Sequence, residues 1–397
     1  MRINYGQNVY NYKEIKAVLK TLKKGTQMGS NVKKMELRVA NLFKKKFCLM
    51  TNSGSSALLL LSEILKIKKD DEFIAPILTF PTSISPFLQK GMVPRFVDVD
   101  INNLQILVKD IENKINKKTK LLIIPNLIGN IPDWEKIKRI AKKYNLITIE
   151  DSADTIGATI NKESTGKFSD YSITSFYGSH IISCMGNGGA LMLNKKKDYL
   201  KAKVIRSWGR TSSLFQKDNF SSRFKYKLNT YSYDKKFIFS EIGYNLEPSE
   251  VGAAFGIEQI KKLKTNTRIR KKNFDLHLKF FEKFNNFFYL PKQIKKTETS
   301  WLAFPLTIKK NNFFDRKKLQ IFLENNNIQT RPIFTGNILY QPAFKYLQAH
   351  NKDKYINADQ ITEGGILIGL HHGINPKGIK YIHKKFNNFF EILKIKI

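Results

Sequence analysis

Along the first half of the chain, short apolar runs of strand length alternate with segments whose apolar residues recur at helical spacing. Residues 47–51 read as a strand, 55–65 as a helix, 73–75 as a strand and 84–90 as a helix. Strands follow at 95–99, 121–125 and 146–150, with a helix at 134–144 between the last two, and a further strand at 171–174. This alternation predicts parallel β-α units in a doubly wound sheet rather than an all-β protein. Residues 211–239 break the rhythm with a long polar and aromatic stretch that has few breakers, read as a functional excursion over the surface. Beyond it, 249–264 and 271–284 have helical spacing and bridge to a mixed C-terminal lobe with a strand at 303–308 and helices at 316–325 and 376–392. The expected division is a large domain over 1–247 and a smaller α/β C-terminal domain with its bridging helices over 248–397.

At 397 residues the chain suits one large core with a smaller companion. No apolar run approaches the roughly 20 residues a membrane span needs, and the N-terminus lacks the apolar stretch of a secretion signal. The expectation is a cytoplasmic protein with no membrane partner. Cys48 and Cys184 are the only cysteines and stand far apart, which supports neither a disulfide framework nor a metal or iron–sulfur site. The net charge of +36 is spread in short lysine clusters such as Lys44-Lys45-Lys46 and Lys195-Lys196-Lys197. No nucleic-acid motif accompanies it, so the charge reads as solvated surface in a Lys-, Asn- and Ile-rich composition, whose field would favour an anionic small substrate.

Three constellations carry chemistry. Asn52-Ser53-Gly54-Ser55-Ser56 follows a strand and opens a helix, where small residues and a helix N-terminus suit a phosphate; an ordinary N-cap by Ser53 or Ser55 is the other reading. Glu150-Asp151 ends a strand at the carboxyl edge of the sheet, placed either to pair with a protonated ring nitrogen or to cap a helix, with Asp154 a turn further on. Ser175 follows the strand at 171–174 as a second hydroxyl for the same phosphate. His180 falls in a Gly- and Ser-rich loop rather than on an apolar helix face, a setting for acid–base work.

Together with Leu78-Thr79-Phe80-Pro81-Thr82, Phe96-Val97-Asp98-Val99-Asp100, Gly188-Gly189-Ala190 and Gly243-Tyr244-Asn245-Leu246, these motifs resemble the sugar-nucleotide aminotransferase family of fold-type I pyridoxal phosphate enzymes over nearly the whole length. The resemblance implies the fold-type I architecture, a large domain with a mostly parallel sheet flanked by helices and a smaller α/β domain. It implies that Gly54, Ser55 and Ser175 hold the phosphate of pyridoxal or pyridoxamine 5′-phosphate and that Phe80 stacks on the ring. Asp151 would pair with the ring nitrogen and Asp154 lie near the ring hydroxyl. Asn245 would reach the neighbouring subunit's cofactor, so the site would be shared across a homodimer.

Family members with lysine at the position of His180 are aminotransferases, and those with histidine are sugar 3-dehydratases, typified by GDP-4-keto-6-deoxymannose 3-dehydratase. This chain is similar to the histidine branch, also at Arg206-Ser207-Trp208-Gly209-Arg210 and over the stretch from Ile328 to Asn337. The resemblance implies glutamate as amino donor, a nucleotide-linked 4-keto-6-deoxyhexose as substrate, and His180 as the catalytic base and acid. An aminotransferase-like enzyme and a non-catalytic sugar-nucleotide-binding homologue are the alternatives. Arg210 and Arg331 are candidates for an anionic group because a guanidinium offers paired donors in a fixed plane. Two departures stand out: the loop from His180 to Gly188 is one residue longer than the usual pattern, and Asn187 replaces the customary glutamate. The related CDP-sugar dehydratases bind an iron–sulfur cluster through cysteines, and two cysteines argue against that branch.

Overall fold

The computed structural model describes residues 1–215 and 223–395. Among these, seven strands build the central sheet: β1 Phe47–Thr51, β2 Glu72–Pro76, β3 Val93–Val97, β4 Thr119–Pro125, β5 Ile147–Ser152, β6 Tyr171–Ser175 and β7 Gly189–Leu193. Their spatial order is β1-β7-β6-β5-β4-β2-β3. Pairings from β3 across to β6 are parallel, and β7 runs antiparallel to both of its neighbours. Strands covered on both faces must be apolar throughout, and Leu121 to Ile124 in β4 and Ala190 to Leu193 in β7 are fully buried.

The α-helices lying wholly among the described residues are α1 Tyr12–Leu22, α2 Ser30–Phe43, α3 Gly54–Ile64, α4 Pro81–Gln89, α5 Trp134–Tyr144, α6 Lys196–Arg206, α7 Glu250–Phe281, α8 Arg316–Asn325, α9 Ile356–Gly364 and α10 Pro376–Ile392. Local chemistry sets their ends. The Asp133 side chain accepts from the Lys136 N–H to start α5, and Asn145, left-handed at φ 53°, stops it. A second sheet in the C-terminal lobe, antiparallel throughout, consists of β8 Phe288–Tyr289, β9 Phe304–Ile308, β10 Thr330–Pro332 and β11 Gly365–Ile368 in the order β8-β9-β11-β10.

The predicted strands and helices of the first half lie on observed ones with shifted ends, and the helices at 316–325 and 376–392 coincide with α8 and α10. Two corrections follow. The separate helices expected at 249–264 and 271–284 are one continuous helix, α7. Its buried face carries Gln259, Asn266, Arg270, Asn273 and His277, so the apolar period fails where the helix does not. No helix was expected at α1 or α2. In α1 the inward face buries Glu14 and Thr21 while Tyr12, Ile15, Leu19 and Leu22 face outward, which inverts the usual pattern.

The excursion over 211–239 is observed at the surface, where Tyr226–Leu228 pairs antiparallel with Tyr231–Tyr233; its residues 216–222 lie outside the described ones. Tyr231, Phe237, Phe239 and Ile242 are all exposed, Ile242 almost completely at 97%. The chain's first residues cross to the C-terminal lobe: Ile3 N–H donates to the Asn327 carbonyl at 2.8 Å, and the Ile3 carbonyl accepts from Gln329 N–H at 2.9 Å. Among the described residues, no helix is long and apolar enough to cross a membrane.

Candidate active site

Three segments converge at the carboxyl ends of the central strands. Ser53 caps α3 by accepting from Ser56 N–H at 3.0 Å, so the N-cap reading is correct for Ser53. That role leaves the first turn of α3 facing β6 with the Ser55 and Ser175 hydroxyls beside it. A Cβ at Gly54 would meet the Ser175 Cβ at 2.9 Å, and one at Gly189 would meet the Ser53 carbonyl carbon at 2.2 Å. Glycine at both positions is what lets the helix start, the end of β6 and the start of β7 close on one point. Ser55 Oγ donates to Thr82 Oγ1 at 3.0 Å, tying this corner to α4.

Around this corner lies a cavity of about 530 Å³ lined by Gly54, Ser55, Phe80, Asp151, Asp154, Ser175 and His180. Arg331 reaches it from β10. Seven predicted cofactor or catalytic residues and one of the two candidate arginines therefore share one space. Phe80 is half exposed at the start of α4 and meets Phe334 edge-on, ring centroids 6.0 Å apart. Among the described residues, no lysine lines the cavity.

Asp151, the penultimate residue of β5, is not a helix cap. Its Oδ2 accepts from Ser83 Oγ at 2.6 Å and its Oδ1 from Ala153 N–H at 3.0 Å. Burial raises its pKa, while the Ser83 hydroxyl and the Ala153 N–H oppose the shift. Asp154 Oδ2 accepts from Ile128 N–H at 2.9 Å; burial pushes this acid up to about 7, against that hydrogen bond and with a further push from Asp151.

His180 stands in the loop between β6 and β7. Its Nδ1 lies 3.4 Å from the Ser175 carbonyl, which makes Nδ1 the protonated nitrogen of the neutral ring. Nε2 is then left with its lone pair, 3.9 Å from Asp154 Oδ1. Burial lowers the His180 pKa to about 4; the Ser175 carbonyl works against this and the Arg270 charge adds to it. Near neutral pH the imidazole is therefore neutral, while Asp154, at about 7, is shared between its acid and its carboxylate forms.

Two predicted residues lie elsewhere. Arg210 does not line the cavity of its own chain; its guanidinium lies over the Trp208 ring at 4.5 Å and 5.9 Å from the Phe237 ring, on the exposed arm. Asn245 is also exposed and outside the cavity, paired through its backbone with Ser207. Sequence reasoning missed Tyr5, Ser83 and Phe334. Ser83 was legible in principle, two positions past Pro81 at the start of a helix; Tyr5 carried no signal, because it reaches the cavity from the far end of the chain.

The chain is similar to the lipopolysaccharide biosynthesis protein RfbH of Salmonella typhimurium, 33% identical over 354 residues that cover 86% of this chain and 81% of that one. It is equally similar, 33% over 367 residues, to the GDP-4-keto-6-deoxy-D-mannose 3-dehydratase of Escherichia coli O55:H7, covering 91% of this chain and 92% of the relative. A solved GDP-4-keto-6-deoxymannose-3-dehydratase with a trapped PLP-glutamate geminal diamine matches the fold with a TM-score of 0.86 at 30% identity, over 96% of this chain and 99% of that one. Residues 9–387 match the DegT/DnrJ/EryC1/StrS aminotransferase family, and the chain belongs to that family.

Proposed function

We propose that this chain is a pyridoxal/pyridoxamine phosphate-dependent 3-dehydratase of a nucleotide-linked 4-keto-6-deoxyhexose, with glutamate restoring the amine form of the cofactor. The observation that carries the reading is a partly buried imidazole, His180, in a cavity wall that no lysine shares among the described residues. The similarity to named 3-dehydratases over nearly the whole chain supports the same reaction.

The residues fit the cofactor. Asp151 is a buried carboxylate that meets one hydroxyl and one N–H and, among the described residues, no cation; a protonated ring nitrogen would supply the missing charge and draw its pKa back down. Gly54, Ser55 and Ser175 form a small-residue cradle at a helix N-terminus, suited to the phosphate. Phe80 would cover a face of the ring and Asp154 lie toward its hydroxyl. Bound there, the cofactor supplies an electron sink for carbanion chemistry next to its nitrogen.

The acid–base work belongs to His180. Neutral, with Nδ1 held by the Ser175 carbonyl, it accepts a proton at Nε2; protonated, it hands that proton to the departing C3 hydroxyl of the sugar. Asp154, close to Nε2, stabilises the charged ring between the two transfers. A lysine in this wall would instead compete for the cofactor's aldehyde and steer the sugar toward transamination. Arg331 offers its donors to an anion, either the glutamate carboxylate or the diphosphate.

The site is completed by a second copy. Asn245 stands outside its own cavity beside an arm whose exposed Phe237, Phe239 and Ile242 form an apolar surface suited to burial in a homodimer. Arg210, on the same arm, keeps a substrate role only through the same exchange. The enzyme works in the cytoplasm, where nucleotide sugars and glutamate are available.

The test is borohydride reduction of the protein loaded with pyridoxal phosphate, followed by denaturation and intact mass measurement. The wild type should release its cofactor, and His180→Lys should retain it covalently. Cofactor fixed to a lysine of the wild type contradicts the proposal.

A further inference from the structure

Residues 3–6 join the C-terminal lobe to the loop that carries His180. At one end, Ile3 pairs with the segment entering β10, and Tyr5 N–H donates to Gln329 Oε1 at 2.9 Å. At the other, a Cβ on Gly6 would meet the Ser179 Cβ at 2.7 Å, so the strap lies directly against the residue before His180. Between these anchors Tyr5 forms part of the cavity wall. The Arg331 guanidinium carbon lies 5.8 Å from the centroid of the Tyr5 ring.

Arg331 has little else to hold it. Its Nη1 donates to the carbonyl of the preceding Thr330 at 2.7 Å, and among the described residues no carboxylate pairs with it. A long side chain that must be ordered when an anion arrives loses affinity through its own rotamer freedom. A ring under the guanidinium removes part of that loss in advance, by attraction to the π face and by limiting the side chain's reach.

We infer that Tyr5 is a positioning residue for Arg331: its ring holds the guanidinium at the cavity wall so that the remaining N–H donors meet a carboxylate or phosphate of the reactant. The inference rests on the proposed function only for the identity of that anion. It assigns a part in substrate binding to the first residues of the chain, and its energetic core is the pairing of one aromatic ring with one cation.

The experiment is calorimetric titration of the cofactor-loaded protein with 2-oxoglutarate and, separately, with GDP, comparing wild type, Tyr5→Leu, Tyr5→Phe, Arg331→Ala and the Tyr5→Leu/Arg331→Ala double variant. Tyr5→Leu should weaken the anion that Arg331 binds by about two- to five-fold, the size of a partly exposed cation–π contact, while Tyr5→Phe, which keeps the ring, stays close to wild type. In the Arg331→Ala background the Leu substitution should have no further effect. If Leu destabilises the fold, Tyr5→Met, also without a ring, takes its place. Unchanged binding in the ring-less variant, or a loss that persists in full without Arg331, overturns the inference. A wild type that binds neither anion contradicts the dehydratase reading and the inference with it, which separates the two failures.

Discussion

His180 and Asp154 approach within 3.9 Å, yet burial drives them in opposite directions, the imidazole down to about 4 and the acid up to about 7. Each is thereby pushed toward its neutral form, and a proton taken up at the free lone pair of His180 makes an imidazolium whose charge in turn favours the carboxylate form of Asp154. Asp151 differs in having a hydroxyl on one oxygen and a backbone N–H on the other, with no cation among the described residues. Replacing it with Asn keeps the shape and removes the charge. Asp151→Asn should therefore weaken the cofactor at least about tenfold, or ~1.4 kcal/mol, in an absorbance titration with the circular dichroism spectrum unchanged; equal affinity would remove Asp151 from the role of ring-nitrogen partner. These residues were legible because Asp151 and Asp154 sit at the end of β5 and just past it, and His180 in the loop that follows β6, strands that their apolar runs reveal. The place of Arg210 outside the cavity was not, because the stretch around it says nothing about where the arm lies, and Tyr5 was not, because its partner Gln329 lies 324 residues away.

At the scale of elements, the cradle depends on how closely the start of α3 approaches the end of β6. The 2.9 Å that a Gly54 Cβ would leave to Ser175 is shorter than a carbon–carbon contact tolerates, and both partners are backbone-anchored. Gly54→Ala should spread the two phosphate-binding segments, lowering cofactor affinity by about tenfold or more, equivalent to ~1.4 kcal/mol, with a lower melting temperature; calorimetry of the loaded and unloaded protein measures both. Wild-type affinity in that variant would show that the cradle does not hold the phosphate. The continuity of α7 and the presence of α1 escaped the sequence pattern because polar side chains take buried positions on both. In α7 the buried face is largely polar from Asn266 to His277, with Asn273 donating to the carbonyls of Leu370, His371 and Ile374 and Arg270 to those of Trp301 and Leu302, so hydrogen bonds replace apolar contacts there. In α1 the capping box of Asn11 and Glu14 was the readable signal, while the outward-facing apolar residues argued against it.

For the whole molecule, the balance of +36 is distributed over the surface, while the apolar exposure is concentrated on the arm and on α1. A surface of that kind fits a second copy better than a nucleic acid. If Asn245 serves the partner's site, two inactive variants must complement each other. Mixing His180→Gln with Asn245→Ala under conditions of subunit exchange should restore about a quarter of wild-type activity, since half the dimers are mixed and each mixed dimer of this two-fold kind holds one intact site. No recovery would place Asn245 in its own chain's chemistry or in none. The alternation of strands and helices made the large sheet legible from the sequence, but the joining of the chain's first residues to the C-terminal lobe is a long-range contact that no local pattern encodes.

The account turns on deoxygenation by an imidazole in place of transamination by a lysine. Mass spectrometry of the sugar formed when the purified protein, pyridoxal phosphate and glutamate meet a GDP-linked 4-keto-6-deoxyhexose tests it most directly. The predicted product has lost the C3 oxygen, keeps its 4-keto group and contains no nitrogen, with ammonia released. A product that retains the C3 hydroxyl and carries an amine contradicts the account.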